Sequence, residues 1–224
     1  MRAVVTGTSS GIGRAIASRL LASGWFVTGL DRTEAVIRHG GFESLTVDLA
    51  DAEGLGHALV SVGPAQALVH AAGVMRAARL GALQDSVGDE LWRIHVGAAM
   101  TLANHLAPSM TTGGRIVLIG SRAATRGVPA KSQYAAAKAA LGGLARTWAK
   151  ELIARGITVN VVAPAATDTA MLNDPARDVL PPETPPLGRR IQPEEVAALV
   201  AYLLSPEAAA ITGQEIAICG GASL

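Results

Sequence analysis

Short runs of β-branched and apolar residues alternate with longer helical patterns along this chain, and that alternation constrains its fold more than any other feature. Seven candidate strands are Ala3–Thr6, Trp25–Asp31, Leu45–Asp48, Ala67–His70, Arg115–Gly120, Thr158–Ala163 and Glu215–Cys219. The helical patterns between them are Ile12–Ser23, Ala52–Val62, Asp89–Met110, Ser132–Arg155 and Pro193–Leu204. Strands that alternate with helices predict a parallel sheet covered on both faces. Right-handed crossovers then favour a doubly wound, three-layer α/β/α sandwich with seven parallel strands.

The length and the composition indicate one domain. The chain has 224 residues, half of them apolar, which is enough for one large core. We therefore predict a single domain over residues 1–224. The one break in composition is the proline-rich segment Asp174–Arg190. We interpret it as part of a substrate lid at about residues 170–192, with a plain surface loop as the alternative.

The charge balance excludes several classes of partner. Lys and Arg total 19 against 18 Asp and Glu, which supplies no field for binding nucleic acid or an anionic membrane.

No apolar run reaches the roughly 18 residues that span a bilayer, and the N-terminus lacks the apolar run of a signal peptide. The single cysteine, Cys219, suits a reducing compartment. We expect a cytoplasmic protein that binds neither nucleic acid nor membrane.

A low charge content predicts self-association. Charged residues make up only 17% of the chain, against a usual share of about 25%. Copies of the chain are therefore expected to cover part of the surface, although alanine-rich helices alone also lower this share. The patterns Asp89–Met110 and Ser132–Arg155 are apolar on several faces, and Trp92 and Trp148 are candidate anchors of such a contact.

A glycine-rich turn joins the first predicted strand to the first helix. Its glycines allow the backbone to approach a ligand closely. The start of the helix offers N–H groups and the positive end of the helix dipole to a pyrophosphate. For such a turn alone, a tight connection without a ligand is the alternative. The predicted nucleotide-binding residues are Gly7, Ser9, Ser10, Gly11, Ile12 and Gly13.

An acidic residue ends the second predicted strand. Asp31 lies 18 positions after Gly13 and can accept the ribose hydroxyls of an adenosine. Its charge repels a 2′-phosphate, so we predict NAD rather than NADP. The neighbouring Arg32 argues the other way, because its guanidinium could stack on adenine or bind that phosphate. Asp48, at the end of the third predicted strand, is a candidate partner of the adenine amino group or, alternatively, a helix N-cap.

A serine, a tyrosine and a lysine follow the fifth predicted strand in an order suited to proton transfer. Tyr134 lies 13 residues after Ser121 and four before Lys138, so Tyr134 and Lys138 share one helix face. A free phenol titrates at about 10, but a nearby ammonium stabilises the phenolate. We predict that Tyr134 is the acid/base, that Lys138 tunes it, and that Ser121 binds the substrate oxygen. The pair alone is common on surface helices, and the combination with the glycine-rich turn carries the prediction.

These motifs together resemble the short-chain dehydrogenase/reductase family, in its compact single-domain branch. The pattern Thr6-Gly7-x-x-x-Gly11-x-Gly13, followed in order by the serine, the tyrosine and the lysine, carries the resemblance over nearly the whole chain. The resemblance implies a Rossmann fold, a nicotinamide cofactor and a homodimer or homotetramer. It implies that Thr169 binds the nicotinamide carboxamide. The further cofactor-binding residues that it implies are Ala72, Gly73, Pro164, Tyr134 and Lys138.

Three positions depart from the family pattern. His70 stands where the family usually begins the sequence Asn-Asn-Ala-Gly, and we interpret it as the replacement of a structural hydrogen bond. His95 occupies the position of the family's catalytic asparagine, whose backbone carbonyl holds a water of the proton relay. Its imidazole joins that relay or, as we favour, braces the helix. Ala165 replaces a glycine and slightly crowds the nicotinamide side.

The remaining polar side chains carry weaker signals. Arg122 and Arg126 follow the predicted catalytic serine and could attract an anionic substrate, although a solvated loop is the favoured interpretation. His39, His57 and His105 have no ligand-like spacing with acidic residues or the cysteine, so no metal site is predicted.

The leading hypothesis is an NAD(P)-dependent oxidoreductase that transfers hydride between a nicotinamide cofactor and a small secondary alcohol or ketone. Such an enzyme is a short-chain alcohol dehydrogenase or ketoreductase. The alternative is a dinucleotide-binding or sensing protein that has lost catalysis, which the histidines at positions 70 and 95 motivate. The intact serine, tyrosine and lysine argue against this alternative. A purely structural oligomer is a third, weaker hypothesis.

Overall fold

A computed structural model describes residues 1–172 and 184–224 and places one seven-stranded sheet at the centre of the molecule. All paired strands are parallel, and their order is β3-β2-β1-β4-β5-β6-β7. The strands are β1 (Arg2–Thr6), β2 (Phe26–Asp31), β3 (Phe42–Thr46), β4 (Ala67–His70), β5 (Arg115–Ile119), β6 (Thr158–Pro164) and β7 (Glu215–Ile218). This topology confirms the predicted doubly wound α/β/α fold.

Helices cover both faces of the sheet. They are α1 (Gly11–Ala22), α2 (Ala52–Leu59), α3 (Asp85–Trp92), α4 (Ala98–Leu106), α5 (Ala123–Arg126), α6 (Ser132–Leu152) and α7 (Pro193–Leu204). On one face, Ile16 of α1 and Leu203 of α7 belong to one buried cluster. On the other face, Leu102 of α4 and Leu141 of α6 belong to a second. Burial of each such side chain contributes roughly 1.5–3 kcal/mol, which holds the three layers together.

The largest differences between the structure and the predicted elements lie at β3 and in the helix before β5. The strand predicted at Leu45–Asp48 spans Phe42–Thr46 instead, so Asp48 lies beyond the strand and not at its end. This edge strand exposes much of its length and therefore lacks a clear apolar pattern. The single helix predicted over Asp89–Met110 begins at Asp85 and is interrupted by a π-helical turn at Arg93–Gly97. A π-turn adds a residue that helical periodicity does not reveal.

The order of the strands determines where a ligand can bind. From β1 the chain moves outward to β2 and β3, and it then returns to the other side of β1 to form β4. In doubly wound sheets, ligands bind in the crevice that such a reversal leaves at the carboxyl ends of the strands. Gly7 and Ala71 follow β1 and β4 directly, so the glycine-rich turn stands at this crevice.

The glycine-rich turn is sterically restricted to glycine at its helical end. A Cβ atom on Gly13 would collide with the carbonyl oxygen of Gly7 and lie 2.8 Å from that of Thr6. Both obstacles are backbone atoms, so they cannot rotate away. The first turn of α1 therefore packs directly on the end of β1, and the helix N-terminus points into the crevice.

Candidate active site

A cavity of about 310 Å³ opens at the carboxyl ends of β1, β2 and β4. Most of the predicted cofactor-binding residues contribute to its walls. They are Gly7, Ser9, Ser10, Gly11, Ile12, Gly13, Asp31, Arg32, Asp48, Ala72, Gly73 and Thr169. The fold thus brings together five segments that are far apart in the sequence.

The glycine-rich turn forms the floor of this cavity. Gly7 and Gly11 have φ angles of +78° and +51°, which side chains rarely adopt. A Cβ atom on Gly7 would lie 2.9 Å from the backbone of Ala72, and one on Gly11 would lie 3.1 Å from Cγ2 of Thr169. The turn therefore lies directly against the segment after β4 and the segment after β6.

The start of α1 fits an anionic ligand. The N-cap residue Ser10 makes no side-chain hydrogen bond to the helix, and the first turn carries no acidic residue. The N–H groups and the positive dipole end of this twelve-residue helix face the cavity. These features fit the pyrophosphate of a dinucleotide.

Asp31 links the end of β2 to the glycine-rich turn. Its Oδ2 accepts hydrogen bonds from the backbone N–H of Ser9 at 2.9 Å and from its hydroxyl at 2.7 Å. Its Oδ1 accepts one from the backbone N–H of Thr33 at 3.2 Å. Arg32 beside it is exposed. The carboxylate is therefore held in a fixed orientation at the cavity wall.

Asp48 is exposed and also lines the cavity. Its Oδ1 accepts a hydrogen bond from the backbone N–H of Ala50 at 2.9 Å. The N-cap of α2 is Asp51, whose carboxylate accepts from the backbone N–H of Gly54 at 3.0 Å. The interpretation of Asp48 as a helix N-cap is therefore wrong, and its role toward adenine stays a prediction.

His70 occupies a structural hydrogen-bonding position. The hydroxyl of Thr6 accepts from the backbone N–H groups of Ala71 at 3.0 Å and Ala72 at 2.9 Å. Its own proton is then directed to Nδ1 of His70 at 3.0 Å, and Nε2 of His70 donates to the carbonyl of Ile94 at 3.1 Å. Burial lowers the pKa of His70 to about 3, so the ring is neutral. Both of its nitrogens are satisfied.

Lys138 and Tyr134 project from α6 beside the end of β5. The amine of Lys138 is buried and donates to the carbonyl of Ile119 at 2.7 Å. It lies 6.0 Å from the centroid of the Tyr134 ring. Burial lowers the pKa of Lys138 to about 7. The helix thus holds a titratable amine next to a phenol, as the spacing of the two residues predicts.

Ser121 lies two residues beyond Ile119, the last residue of β5, whose carbonyl accepts the hydrogen bond from Lys138. Its hydroxyl oxygen accepts a hydrogen bond from the backbone N–H of Ala123 at 3.2 Å. That contact uses a lone pair of the oxygen, so the hydroxyl proton remains available for donation. The short helix α5 that follows was not predicted, because it spans only Ala123–Arg126.

His95 lies in the π-helical turn with its ring buried. Its Nε2 lies 2.9 Å from the carbonyl oxygen of Val74, and its ring meets that of Tyr134 edge-on with centroids 5.6 Å apart. Burial, followed by the charge of Lys138, holds the pKa of His95 well below its ordinary value. The hydrogen bond to Val74 agrees with the bracing interpretation of this residue.

Some predicted site residues lie outside the cavity lining, and some lining residues were missed. Five predicted residues are not among the lining residues, namely Ser121, Tyr134, Lys138, Pro164 and His95. His95 nevertheless contacts the lining residues Gly73 and Val74. Their roles stay predictions. The lining residues that sequence reasoning missed are Thr33, Val47, Leu49, Val74, Ile94, Ala170 and Met171. Most are small or apolar neighbours of predicted residues, and only proximity to those residues could have indicated them.

The predicted lid falls partly on residues 173–183, which lie outside the described residues. The described flanks approach each other, because Thr167 and Ile191 form a parallel bridge and Arg190 pairs with Asp168 at 3.2 Å. The lid stays a prediction.

Within residues 1–172 and 184–224, no group of three or more His, Cys, Asp and Glu side chains is placed to hold a metal ion. None of the helices in this part of the chain combines the length and the apolar character that crossing a membrane requires.

Known proteins share both the sequence pattern and the fold. A family model described as enoyl-(acyl carrier protein) reductase matches residues 7–223. The 3-oxoacyl-[acyl-carrier-protein] reductase FabG of Vibrio harveyi is 35% identical over 98% of this chain and 96% of its own length.

Two solved structures extend this likeness to three dimensions. A blue fluorescent protein from a metagenomic library, in complex with NADPH, has a TM-score of 0.88 and 32% identity, and the match covers 100% of this chain and 98% of that one. The short-chain dehydrogenase/reductase of Serratia marcescens BCRC 10948 has a TM-score of 0.89 and 32% identity with the same coverage. The chain described here belongs to the short-chain dehydrogenase/reductase family of nicotinamide-dependent oxidoreductases.

Proposed function

We propose that the protein interconverts a secondary alcohol and a ketone, with Tyr134 as the acid/base of the reaction. The observation that carries the proposal is the buried amine of Lys138, fixed on the carbonyl of Ile119 and 6.0 Å from the Tyr134 ring. A buried amine that serves no structural ion pair costs stability, so its position needs a chemical reason. When bound, the nicotinamide supplies or accepts the hydride.

The chain's own residues would move and hold the proton. Tyr134 would donate its hydroxyl proton to the ketone oxygen in reduction, or accept the alcohol proton in oxidation. The ammonium of Lys138 stabilises the phenolate that forms in reduction. The hydroxyl of Ser121, which keeps its proton for donation, would bond the same substrate oxygen and stabilise its developing charge.

The cofactor would lie in the cavity with its pyrophosphate on the N-terminus of α1 and its adenosine near Asp31. We propose NAD as the preferred form, because the fixed carboxylate of Asp31 can accept ribose hydroxyls and repels a 2′-phosphate. NADP is the second candidate. It is supported by the exposed Arg32 and by the NADPH in the metagenomic blue fluorescent protein.

The name of a relative indicates which class of ketone to test first as a substrate. The relative from Vibrio harveyi is named as a 3-oxoacyl-[acyl-carrier-protein] reductase, and a 3-oxoacyl group is itself a ketone. A 3-oxoacyl thioester is therefore the first ketone to test. A protein that binds dinucleotides without catalysis remains the rival proposal, and it predicts cofactor binding without turnover.

We also propose that the protein self-associates through α4 and α6. A groove of about 560 Å³ lies between these helices, and Met100 and Trp148 line it. Trp92, at the end of α3, is half exposed. A contiguous exposed apolar patch marks an interaction site, and in homo-oligomers a second copy of the chain covers it.

Replacing Tyr134 with Phe tests the proposed acid/base. We expect Tyr134→Phe to lower kcat/KM by roughly 10²–10⁴-fold for ketones, including 3-oxoacyl thioesters, while dinucleotide affinity stays within a few-fold. The chain's only other tyrosine, Tyr202 on α7, is exposed, so Tyr202→Phe is the matched control. Equal turnover by wild type and Tyr134→Phe contradicts the proposal. Dinucleotide binding with no turnover by wild type over a broad panel supports the rival.

The buried lysine predicts a characteristic pH dependence of stability. Between pH values of about 7 and 10.5 the unfolded chain keeps a proton on Lys138 that the folded chain has released, so the group's contribution to stability rises with pH. Below pH 7 the charged amine carries its full burial cost. We expect Lys138→Met to be more stable than wild type at pH 6, by roughly 1–3 kcal/mol, and this advantage to shrink toward pH 10.

Urea unfolding at pH 6, 8 and 10 measures this difference. Lys150→Met is the control, because Lys150 is exposed on the same helix. A stability difference between Lys138→Met and wild type that is constant over this pH range contradicts the burial of a charge at this position.

The cofactor preference is tested at Asp31. We expect wild type to have a higher kcat/KM with NADH than with NADPH. Asp31→Asn should shift that ratio toward NADPH by roughly tenfold or more, because it removes the repulsion of the 2′-phosphate. Asp48→Asn changes a carboxylate in the same cavity and should leave the ratio unchanged. A wild type that already prefers NADPH overturns the assignment of Asp31.

A further inference from the structure

A buried arginine lies at the amino end of β5, the end opposite the candidate active site. Arg115 is the first residue of this strand and is only 6% exposed. Ser121 lies beyond the other end of the strand, and a rise of about 3.3 Å per residue separates the two ends by roughly 13 Å. Arg115 therefore takes no part in the proposed proton transfer, and the burial of its cation needs a separate explanation.

In the described part of the chain, all hydrogen bonds of the Arg115 guanidinium come from one nitrogen. Nη1 donates to the carbonyl oxygens of Gly113 at 2.6 Å, Gly114 at 3.0 Å and Gly156 at 3.5 Å. A guanidinium has five N–H groups, of which Nη1 holds two. Nε is buried and has no hydrogen-bond partner. The edge formed by Nε and Nη2, through which an arginine can bind a carboxylate by two parallel hydrogen bonds, is therefore not used by the brace to the carbonyls.

A second unpaired polar atom lies on the neighbouring strand. Thr158, the first residue of β6, is the register partner of Arg115, so both side chains project from the same face of the sheet on strands roughly 4.8 Å apart. Thr158 is 2% exposed, and its Oγ1 also has no hydrogen-bond partner. Buried polar atoms are nearly always paired. Two unpaired donors on adjacent strands therefore indicate a missing acceptor.

The charge of Arg115 has no counter-charge among residues 1–172 and 184–224. The ion pairs in this part of the chain join other residues. Burial lowers the pKa of Arg115 below its ordinary value. A buried cation without an anion destabilises a fold, and the carbonyl dipoles that Nη1 contacts offset only part of this cost. An anion on the unused edge of the guanidinium would offset the rest.

We propose that Nε and Nη2 of Arg115, together with the hydroxyl of Thr158, bind a small carboxylate at the amino ends of β5 and β6. A carboxylate matches the two parallel N–H groups of a guanidinium edge and can accept a further hydrogen bond from a hydroxyl. The single positive charge and the nearby carbonyl oxygens favour a monoanion over a doubly charged phosphate. Because Arg115 is almost fully covered, we expect a ligand as small as formate or acetate. Its role is to stabilise the fold, which is independent of the proposed reaction.

The direct test is the NMR signal of the Arg115 Nε–H group in the ¹⁵N-labelled protein, titrated with sodium formate and with sodium acetate. Correlation spectra that connect the backbone to the side chain assign this signal. We expect it to shift saturably with either carboxylate, because the anion supplies the acceptor that Nε lacks. A signal that does not move, or that moves to the same extent with sodium chloride, overturns the inference.

Thermal unfolding tests whether the bound carboxylate supports the fold. We expect saturating formate to raise the unfolding midpoint of wild type by roughly 2–4 °C, relative to sodium chloride at the same ionic strength. Thr158→Val keeps the side-chain volume but removes the hydroxyl, so its half-saturating formate concentration should rise several-fold. Arg115→Lys should lose the shift, since an ammonium lacks the paired N–H groups. Arg19→Lys, at an exposed position on α1, should respond as wild type does.

The variants distinguish a specific site from a general effect of the salt. An equal rise in wild type, Arg115→Lys and Thr158→Val, with the same half-saturating concentration, is a general effect and overturns the inference. The absence of any rise with carboxylate, as expected if water alone fills the position, also overturns it. If Arg115→Lys fails to fold, the NMR titrations of wild type and Thr158→Val decide, and equally tight binding of formate by both contradicts the proposed site.

Discussion

The candidate site depends on one buried amine. Lys138 is held within the protein by a single carbonyl at the end of β5, and burial lowers its pKa to about 7. The long helix α6, the buried strand β5 and the segment that carries Ser121 together fix this amine beside Tyr134. Isolated buried charges destabilise a fold, and this arrangement places that cost beside the tyrosine that we propose as the acid/base.

The surrounding elements form the cavity in which we propose that the second reactant, the dinucleotide, binds. Reversal of strand order at β1 and β4 opens the cavity, and the glycine-rich turn lets the N-terminus of α1 face it. Asp31 fastens that turn through Ser9. The proposed phosphate-binding end and the proposed proton-transfer end are therefore built from separate elements, and the contact between Gly73 and His95 joins them.

The sequence predicts the fold well, because apolar strands, glycines and helix boundaries are local signals. The buried strand β5 begins at the predicted residue, whereas the exposed edge strand β3 was displaced because its apolar pattern is weak. The π-turn at Arg93–Gly97 could not be predicted, since apolar periodicity does not register one added residue. This turn carries His95, whose ring packs edge-on against that of Tyr134.

The sequence predicts which side chains belong to the candidate site better than it predicts the hydrogen bonds that orient them. Side chains with recognisable chemistry, such as Asp31 and Lys138, can be selected from their spacing in combination with the glycine-rich turn. The hydrogen bonds that fix their orientation cannot, because they involve backbone carbonyls such as those of Ile119 and Val74. Which hydrogen-bond partner each imidazole nitrogen meets is likewise decided only in three dimensions.

The central claim is that the amine of Lys138 is buried beside the tyrosine and that this burial lowers its pKa. An NMR titration of the lysine side chains tests it most directly. The chain has only three lysines, so Lys138→Met identifies the relevant signal. The account predicts that the amine of Lys138 titrates with a midpoint near pH 7. A Lys138 signal that stays fully protonated above pH 9 contradicts it.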